Sequence, residues 1–250
     1  MIKTSPQCCV IIPVYRHAEP LVNVLRQLEK YGLPCFLVDD CNEVPLKDAL
    51  ATELAGWSWV KVLRLATHGG KGVACMEGCR VAHESGFSHA IFIDADDQHE
   101  VHDMSCVLDL TQQHPQAMIL GSPVFDQSAP LKRRIGRIVS NVWVWIETLS
   151  FDIKDSLCGF RCLPLIPLLK VASRVQLGRR MDFDPDIVVR LFWQGVPVVN
   201  FDTRIRYPPR GISNFHLMRD NGALFWLHTR LFFGMLIRSP FLLIRHWTQA

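Results

Sequence analysis

The 250-residue sequence has no apolar run long enough to cross a bilayer. In 222–247, its greasiest part, the longest stretch free of His or charge is seven residues, against the roughly 20 that a spanning helix needs. It has no internal repeat and no linker rich in Gly, Ser or Pro, which favours one domain with a C-terminal appendage. The opening MIKTSPQCCVIIPVY passes straight from a polar start into a strand-like run, so no secretory signal is expected. The nine cysteines are odd in number and never spaced C-x-x-C, which argues against a zinc knuckle and for reduced thiols in a cytosolic protein. No G-x-G-x-x-G follows the first strand. HGGKG at 68–72 is no P-loop either: the first Gly of that motif is missing, and Gly72 stands where it needs Ser or Thr. With no RNP, zinc-finger or helix-turn-helix pattern, nothing supports nucleic acid as a partner.

What is present is a globular composition, 49% apolar and 20% charged, with length enough for a large core. The net charge of +3 conceals an asymmetry. Residues 1–202 carry 20 basic against 23 acidic residues (−3), whereas 203–250 carry seven Arg against one Asp (+6). A basic, aromatic tail suits an anionic membrane. Arg230, Arg238 and Arg245 fall within about an 80° arc of a helix, leaving the rest apolar. Pro240 is expected to split this segment into two helices meeting at Ser239, lying on a membrane. The alternative is a helix pair packed on the core or between subunits.

Apolar runs and periodicity predict strands at 8–14, 35–38, 59–65, 90–93, 117–122 and 196–199. Helices are predicted at 21–31, 45–55, from the glycine-rich turn to about 84, and at 107–113, 133–149 and 183–194. Such alternation predicts an α/β protein with a mostly parallel sheet.

The most informative stretch is AIFIDADDQH at 90–99, where a buried strand runs into carboxylates, the place where open α/β sheets bind ligands. An extended backbone would point Asp94, Asp96 and Gln98 the same way. Those hard oxygens suit Mg²⁺ or Mn²⁺, which complete their shells with water and substrate phosphates. A solvated acidic turn is the alternative. Asp40, after the second strand, suits either a base or ribose contact or a helix N-cap. Lys71, between glycines, suits either a phosphate or a plain turn.

In order along the chain, VIIPVYR (10–16), VDD (38–40), HGGKG (68–72), DADDQ (94–98), DSLCGFR (155–161), FDPDI (183–187) and RYPPRGISNF (206–215) resemble glycosyltransferase family 2, especially its dolichyl-phosphate mannose synthase-like branch. The resemblance implies a GT-A type, Rossmann-like open sheet flanked by helices over residues 1–220, with 221–250 as an amphipathic membrane-associating tail. It implies that Pro13, Tyr15 and Asp40 hold the nucleoside of a sugar donor and that Asp94, Asp96 and Gln98 bind the metal. Asp155 and Arg161 then belong to an acceptor-side motif, preceded by an R-x-x-S pattern at Arg137 and Ser140. Arg210, Gly211 and Ser213 match a loop that closes over the diphosphate. This chain departs from the family in having Cys41 for a usual glycine and His68 for a frequent asparagine, and in lacking long membrane hairpins.

The expected reaction is inverting transfer from a nucleoside-diphosphate sugar to a lipid-linked or otherwise membrane-associated acceptor at the cytoplasmic membrane face. Asp96, Asp155 and Asp184 are the catalytic candidates, with Asp182 a further possible base for a hydroxyl acceptor. Lys71, Arg137, Arg161, Arg210 and Ser213 are donor-side candidates. A lipid phosphate needs no base, and Arg133, Arg134, Arg137 and Arg161 would hold it. Two other readings are a nucleotidyltransferase, which releases pyrophosphate, and a non-catalytic membrane scaffold, against which the intact DADDQ argues. An oligomer is compatible with all three.

Overall fold

The computed structural model describes residues 5–125, 131–206 and 216–249. The first apolar run forms β1 (Cys8–Val14), and its alternation defines two cores: Cys9 and Ile11 face one helical layer, Val10 and Ile12 the other. The helix α1 (Ala18–Leu28) buries Leu21, Val24, Leu25 and Leu28, a stripe at helical spacing. Next come β2 (Cys35–Asp39), the short helices α2 (Leu46–Ala49) and α3 (Ala51–Ala55), and β3 (Val60–Arg64). The single helix expected at 45–55 is interrupted at Leu50, whose side chain turns into the core. Then follow α4 (Lys71–Glu84), β4 (His89–Phe92), α5 (Met104–Gln113), β5 (Met118–Phe125) and α6 (Leu131–Thr148). The described chain ends with β6 (Arg161–Pro164), α7 (Leu165–Ala172), α8 (Phe183–Trp193), β7 (Val198–Ile205) and α9 (Leu217–Gln249).

The seven-stranded sheet has the order β3-β2-β1-β4-β6-β5-β7. All pairings are parallel except those of β6, which is antiparallel to β4 and β5. Strand β6 was not foreseen, because it begins on Arg161 and ends on Pro164, leaving only Cys162 and Leu163 as apolar signal. Its reversed direction places its first residue, Arg161, at the edge where the other strands end. The strand order turns back between β1 and β4, the crevice where such sheets bind nucleotides.

The tail differs from expectation in two respects. The helix α9 is continuous over 33 residues, about 50 Å, with Pro240 inside it. The carbonyl of Leu236, which would otherwise accept from residue 240, accepts from Ser239 Oγ at 2.9 Å, so the missing N–H leaves no orphan. The charges that interrupt its sequence do not interrupt the helix, and 218–245 is long and apolar enough to cross a membrane by length and composition, with 28% of its most apolar stretch buried. Two arginines of the stripe pack on rings of α8: Arg238 lies over Trp193 at 4.6 Å and Arg245 over Phe192 at 4.3 Å. Phe225, Trp226, Phe233, Ile237, Phe241 and Ile244 are left facing outward. The helix α6, packed beside α9, exposes its own stripe of Leu131, Ile135, Ile138, Val142, Trp143 and Ile146.

Candidate active site

The acidic segment leaves β4 as a turn rather than as an extension of the strand: Ala95 and Asp96 are turn residues and Asp97 has φ +57°. Asp94, Asp96 and Gln98 therefore do not project in parallel, as the alternation suggested. Asp tolerates the left-handed conformation, and Asp96 Oδ1 closes the turn by accepting from the Gln98 N–H at 3.2 Å. The acidic groups still gather at the ligand edge of the sheet.

Beneath this turn lies a line of alternating charges. Lys71 Nζ is 2.8 Å from Asp94 Oδ1 and 2.9 Å from Asp184 Oδ2, and Arg161 Nη2 donates to Asp184 Oδ1. Arg161 is 1% exposed and lies between the rings of Phe92 and Phe183, at 5.5 and 5.7 Å. Burial alone would lower the Lys71 pKa, but Asp184 and Asp94 outweigh it and hold the ammonium above the usual lysine range. Burial would raise Asp94, yet Lys71 and the adjacent His99 keep it well below the carboxylate range. Asp96 is raised, by burial first and then by the Asp94 charge. Asp184, 3% exposed with both oxygens taken by cations, is placed as a buried counter-ion rather than as a base open to an acceptor. Arg161 is likewise interior rather than aimed at a ligand.

Asp40 is 2% exposed, and its carboxylate accepts from the N–H groups of Gly69 (2.6 Å) and Gly70 (2.9 Å), with His68 Nδ1 at 2.9 Å. Its visible work is to hold the HGGKG loop. That loop in turn stacks His68 on Tyr15, with centroids 4.2 Å apart, next to Pro13 at the end of β1. The loop glycines make room for protein, not for a phosphate: a Cβ on Gly70 would lie 2.6 Å from the Arg179 carbonyl, and one on Gly72 2.2 Å from that of Gly178. Cys41 takes φ +58°, the left-handed conformation that favours glycine.

The DSLCGFR segment links three places. Asp155 accepts from Arg137 Nη1 (2.6 Å), Asn141 Nδ2 (3.2 Å) and the Leu157 N–H (3.0 Å). A Cβ on Gly159 would stand 2.1 Å from Asp94 Oδ2, so any side chain there would displace the Asp94 carboxylate. Arg161 then enters the sheet. Beside Asp155 is a cavity of about 250 Å³ lined by Ser122, Phe125, Arg134, Arg137, Lys154 and Asp155, among others. Ser140 does not line it. Its Oγ lies 3.3 Å from His228 Nε2, and His228 Nδ1 lies 2.8 Å from Glu147 Oε1, a buried tie between α6 and α9.

Sequence reasoning missed His99, Asn141, Lys154 and Gly159; His99, adjoining DADDQ, and Gly159, within DSLCGFR, carried a local signal. Arg210, Gly211 and Ser213 lie outside the described residues. Among the described residues no three His, Cys, Asp or Glu side chains stand close enough together to hold a metal ion.

A Glycosyl transferase family 2 model matches residues 9–166, more than half the chain. The uncharacterized protein MJ0544 of Methanocaldococcus jannaschii is 22% identical over 211 residues, 81% of this chain and 90% of its own. S. aureus TarS in complex with UDP-GlcNAc superposes with a TM-score of 0.59 at 13% identity, over 90% of this chain and 66% of the TarS chain. Glucosyl-3-phosphoglycerate synthase from Mycobacterium tuberculosis, in complex with Mn²⁺ and UDP-glucose, does so with a TM-score of 0.59 at 12% identity, over 88% and 75%. This chain thus spans slightly less than two thirds of the TarS chain, and at such identities the likeness concerns the fold. The matched residues run from β1 through β6 and include the acidic turn, and the chain belongs to glycosyl transferase family 2.

Proposed function

We propose that the protein transfers a sugar, with inversion, from a nucleoside-diphosphate sugar to a lipid-linked phosphate at the cytoplasmic face of a membrane, as in the dolichyl-phosphate mannose synthase-like branch. The observation that carries this reading is the acceptor-side cavity: it brings together Arg134, Arg137 and Lys154, while its carboxylate, Asp155, is already taken by Arg137 and Asn141. Such a pocket favours an acceptor that arrives as an anion. A phosphate oxygen attacks the anomeric carbon while the bond to the diphosphate breaks and its electron pair leaves with the diphosphate. No proton has to be removed, in keeping with the closed state of Asp184.

On the donor side, the Tyr15–His68 stack offers a flat face to a nucleobase, and the UDP-sugars bound by TarS and by the mycobacterial synthase support a nucleotide-sugar donor. Asp94, Asp96 and Gln98 fit a divalent cation, Mg²⁺ or Mn²⁺, because such ions are commonly held by one or two carboxylates plus substrate phosphates. Burial first, and then the Asp94 charge, raise Asp96, and a bound divalent cation would favour its ionised form. Bound there, the cation would neutralise charge developing on the departing diphosphate. Incubation with UDP- and GDP-sugars, Mn²⁺ and a polyprenyl phosphate is expected to release nucleoside diphosphate and no pyrophosphate. Arg134→Gln is expected to raise the acceptor KM about 10- to 100-fold, with donor affinity unchanged. Pyrophosphate release, or transfer to hydroxyl acceptors alone, overturns the reading.

We assign residues 221–250 to membrane association. The outward faces of α6 and α9 are apolar, and the C-terminal 48 residues carry seven Arg against one Asp, which suits an anionic bilayer. Paired Phe233→Asp and Ile237→Asp substitutions are expected to cut co-sedimentation with anionic vesicles at least about tenfold. If vesicle binding persists while a dimer becomes a monomer, the face joins two copies instead.

A further inference from the structure

Lys71 is the first residue of α4, and its side chain, 15% exposed, ends between two carboxylates. It is 2.9 Å from Asp184 Oδ2, but Asp184 already has a cation in Arg161, which contacts its other oxygen. The charge that Lys71 brings is therefore available to Asp94, whose Oδ1 lies 2.8 Å away. The other oxygen of Asp94 faces Gly159, where a Cβ would stand 2.1 Å away, and His99 Nε2 at 3.6 Å. The ammonium thus stands at an oxygen of the acidic turn assigned above to a divalent cation.

We infer that Lys71 is a built-in competitor for that cation: it covers Asp94 until a nucleoside diphosphate arrives, so that metal and donor bind together rather than metal first. This inference rests on the metal and donor roles proposed above. An ammonium and a divalent ion sharing one carboxylate oxygen would stand about 4 Å apart and repel by many times the thermal energy, even at an effective dielectric constant of about 20. The negative charge of a diphosphate in the same volume removes the conflict, because it attracts both. The lysine need not travel far: its flexible side chain can swing away from Asp94 while its backbone, the first residue of the 14-residue helix α4, stays in place. Binding in this order keeps the acidic turn from holding a metal with no substrate to activate.

The test is Mn²⁺ affinity of the full chain, measured by electron paramagnetic resonance or calorimetry, with and without UDP and, in parallel, GDP. Wild type is expected to bind Mn²⁺ weakly alone and at least tenfold more tightly with one of the nucleotides. Lys71→Met is expected to tighten Mn²⁺ alone about tenfold and to weaken nucleotide binding, so that the coupling between the two falls toward unity. Lys71→Arg, which keeps the charge, restores the coupling, and Lys71→Gln serves if the methionine variant does not fold. Equal tightening with and without nucleotide marks a plain charge effect, and weakening in both conditions marks a purely structural lysine; either result overturns the inference. Wild type that binds neither nucleotide with Mn²⁺ fails the proposed function itself. Wild type with strong coupling that Lys71→Met leaves intact fails the competitor role alone.

Discussion

Asp96→Asn is expected to lower sugar transfer by about 10²- to 10³-fold while leaving the fold at least as stable as the wild type. The two effects separate because of where the charge sits. Burial and the neighbouring Asp94 both raise the Asp96 pKa, so its ionised form is disfavoured in the folded, metal-free chain. A carboxylate raised in this way holds its proton more tightly folded than unfolded, and stability falls as pH rises through the shifted range. Asparagine removes that loss, so any gain is present well above the ordinary carboxylate pKa of about 4 and absent below it. It also keeps an oxygen for the Gln98 N–H that closes the turn. What asparagine cannot supply is the second negative charge for a divalent cation and its diphosphate. Turnover with a nucleoside-diphosphate sugar, set beside thermal melts at pH 7, checks both halves. Undiminished turnover rules out the metal role of Asp96, and a large fall in melting temperature shows that the residue serves the turn instead.

Asp184→Ala is expected to cost about 3–5 kcal/mol of stability, the range for removing one partner of a buried ion pair. Asp184 stands between Arg161 and Lys71, so its loss leaves a 1%-exposed guanidinium uncompensated between Phe92 and Phe183. In a chain of this length each kcal/mol moves the midpoint by roughly 2–4 °C, which makes the expected fall about 6–20 °C. Differential scanning calorimetry measures it. A midpoint within a degree or two of wild type shows that the three charges are not coupled as described. If Asp184 were an acceptor-side base, its removal would lower turnover and spare the melt, so calorimetry and kinetics together separate the two roles.

The comparison of DADDQ with FDPDI shows how much of the site local sequence carries. DADDQ is readable because a hydrophobic run and the acids it delivers are contiguous, and a buried strand opens at its carboxyl end onto the ligand edge. FDPDI lies at the start of a helix, and from its sequence Asp184 is as good a base as any. Its partners are 113 residues away at Lys71 and 23 away at Arg161, and no periodicity spans such distances. Gly70 and Gly72 of HGGKG follow the same logic: residues that need their space, Gly178 and Arg179, are more than a hundred positions downstream.

By itself the sequence determined the apolar strands β1, β2 and β4, the amphipathic stripe of α1, the acidic mouth of the sheet and the basic, aromatic character of the tail. These depend on neighbours within one or two turns or along one strand, where side-chain period and burial are directly coupled. Tertiary structure alone decided the reversed strand β6, the withdrawal of Arg161 and Asp184 into the interior, the cationic cavity beside Asp155 and the unbroken course of α9 past Pro240. Each depends on groups remote in the chain, or on a side chain such as Ser239 satisfying a carbonyl that the backbone cannot. Packing and charge pairing therefore settle which polar residues face a ligand and which neutralise one another.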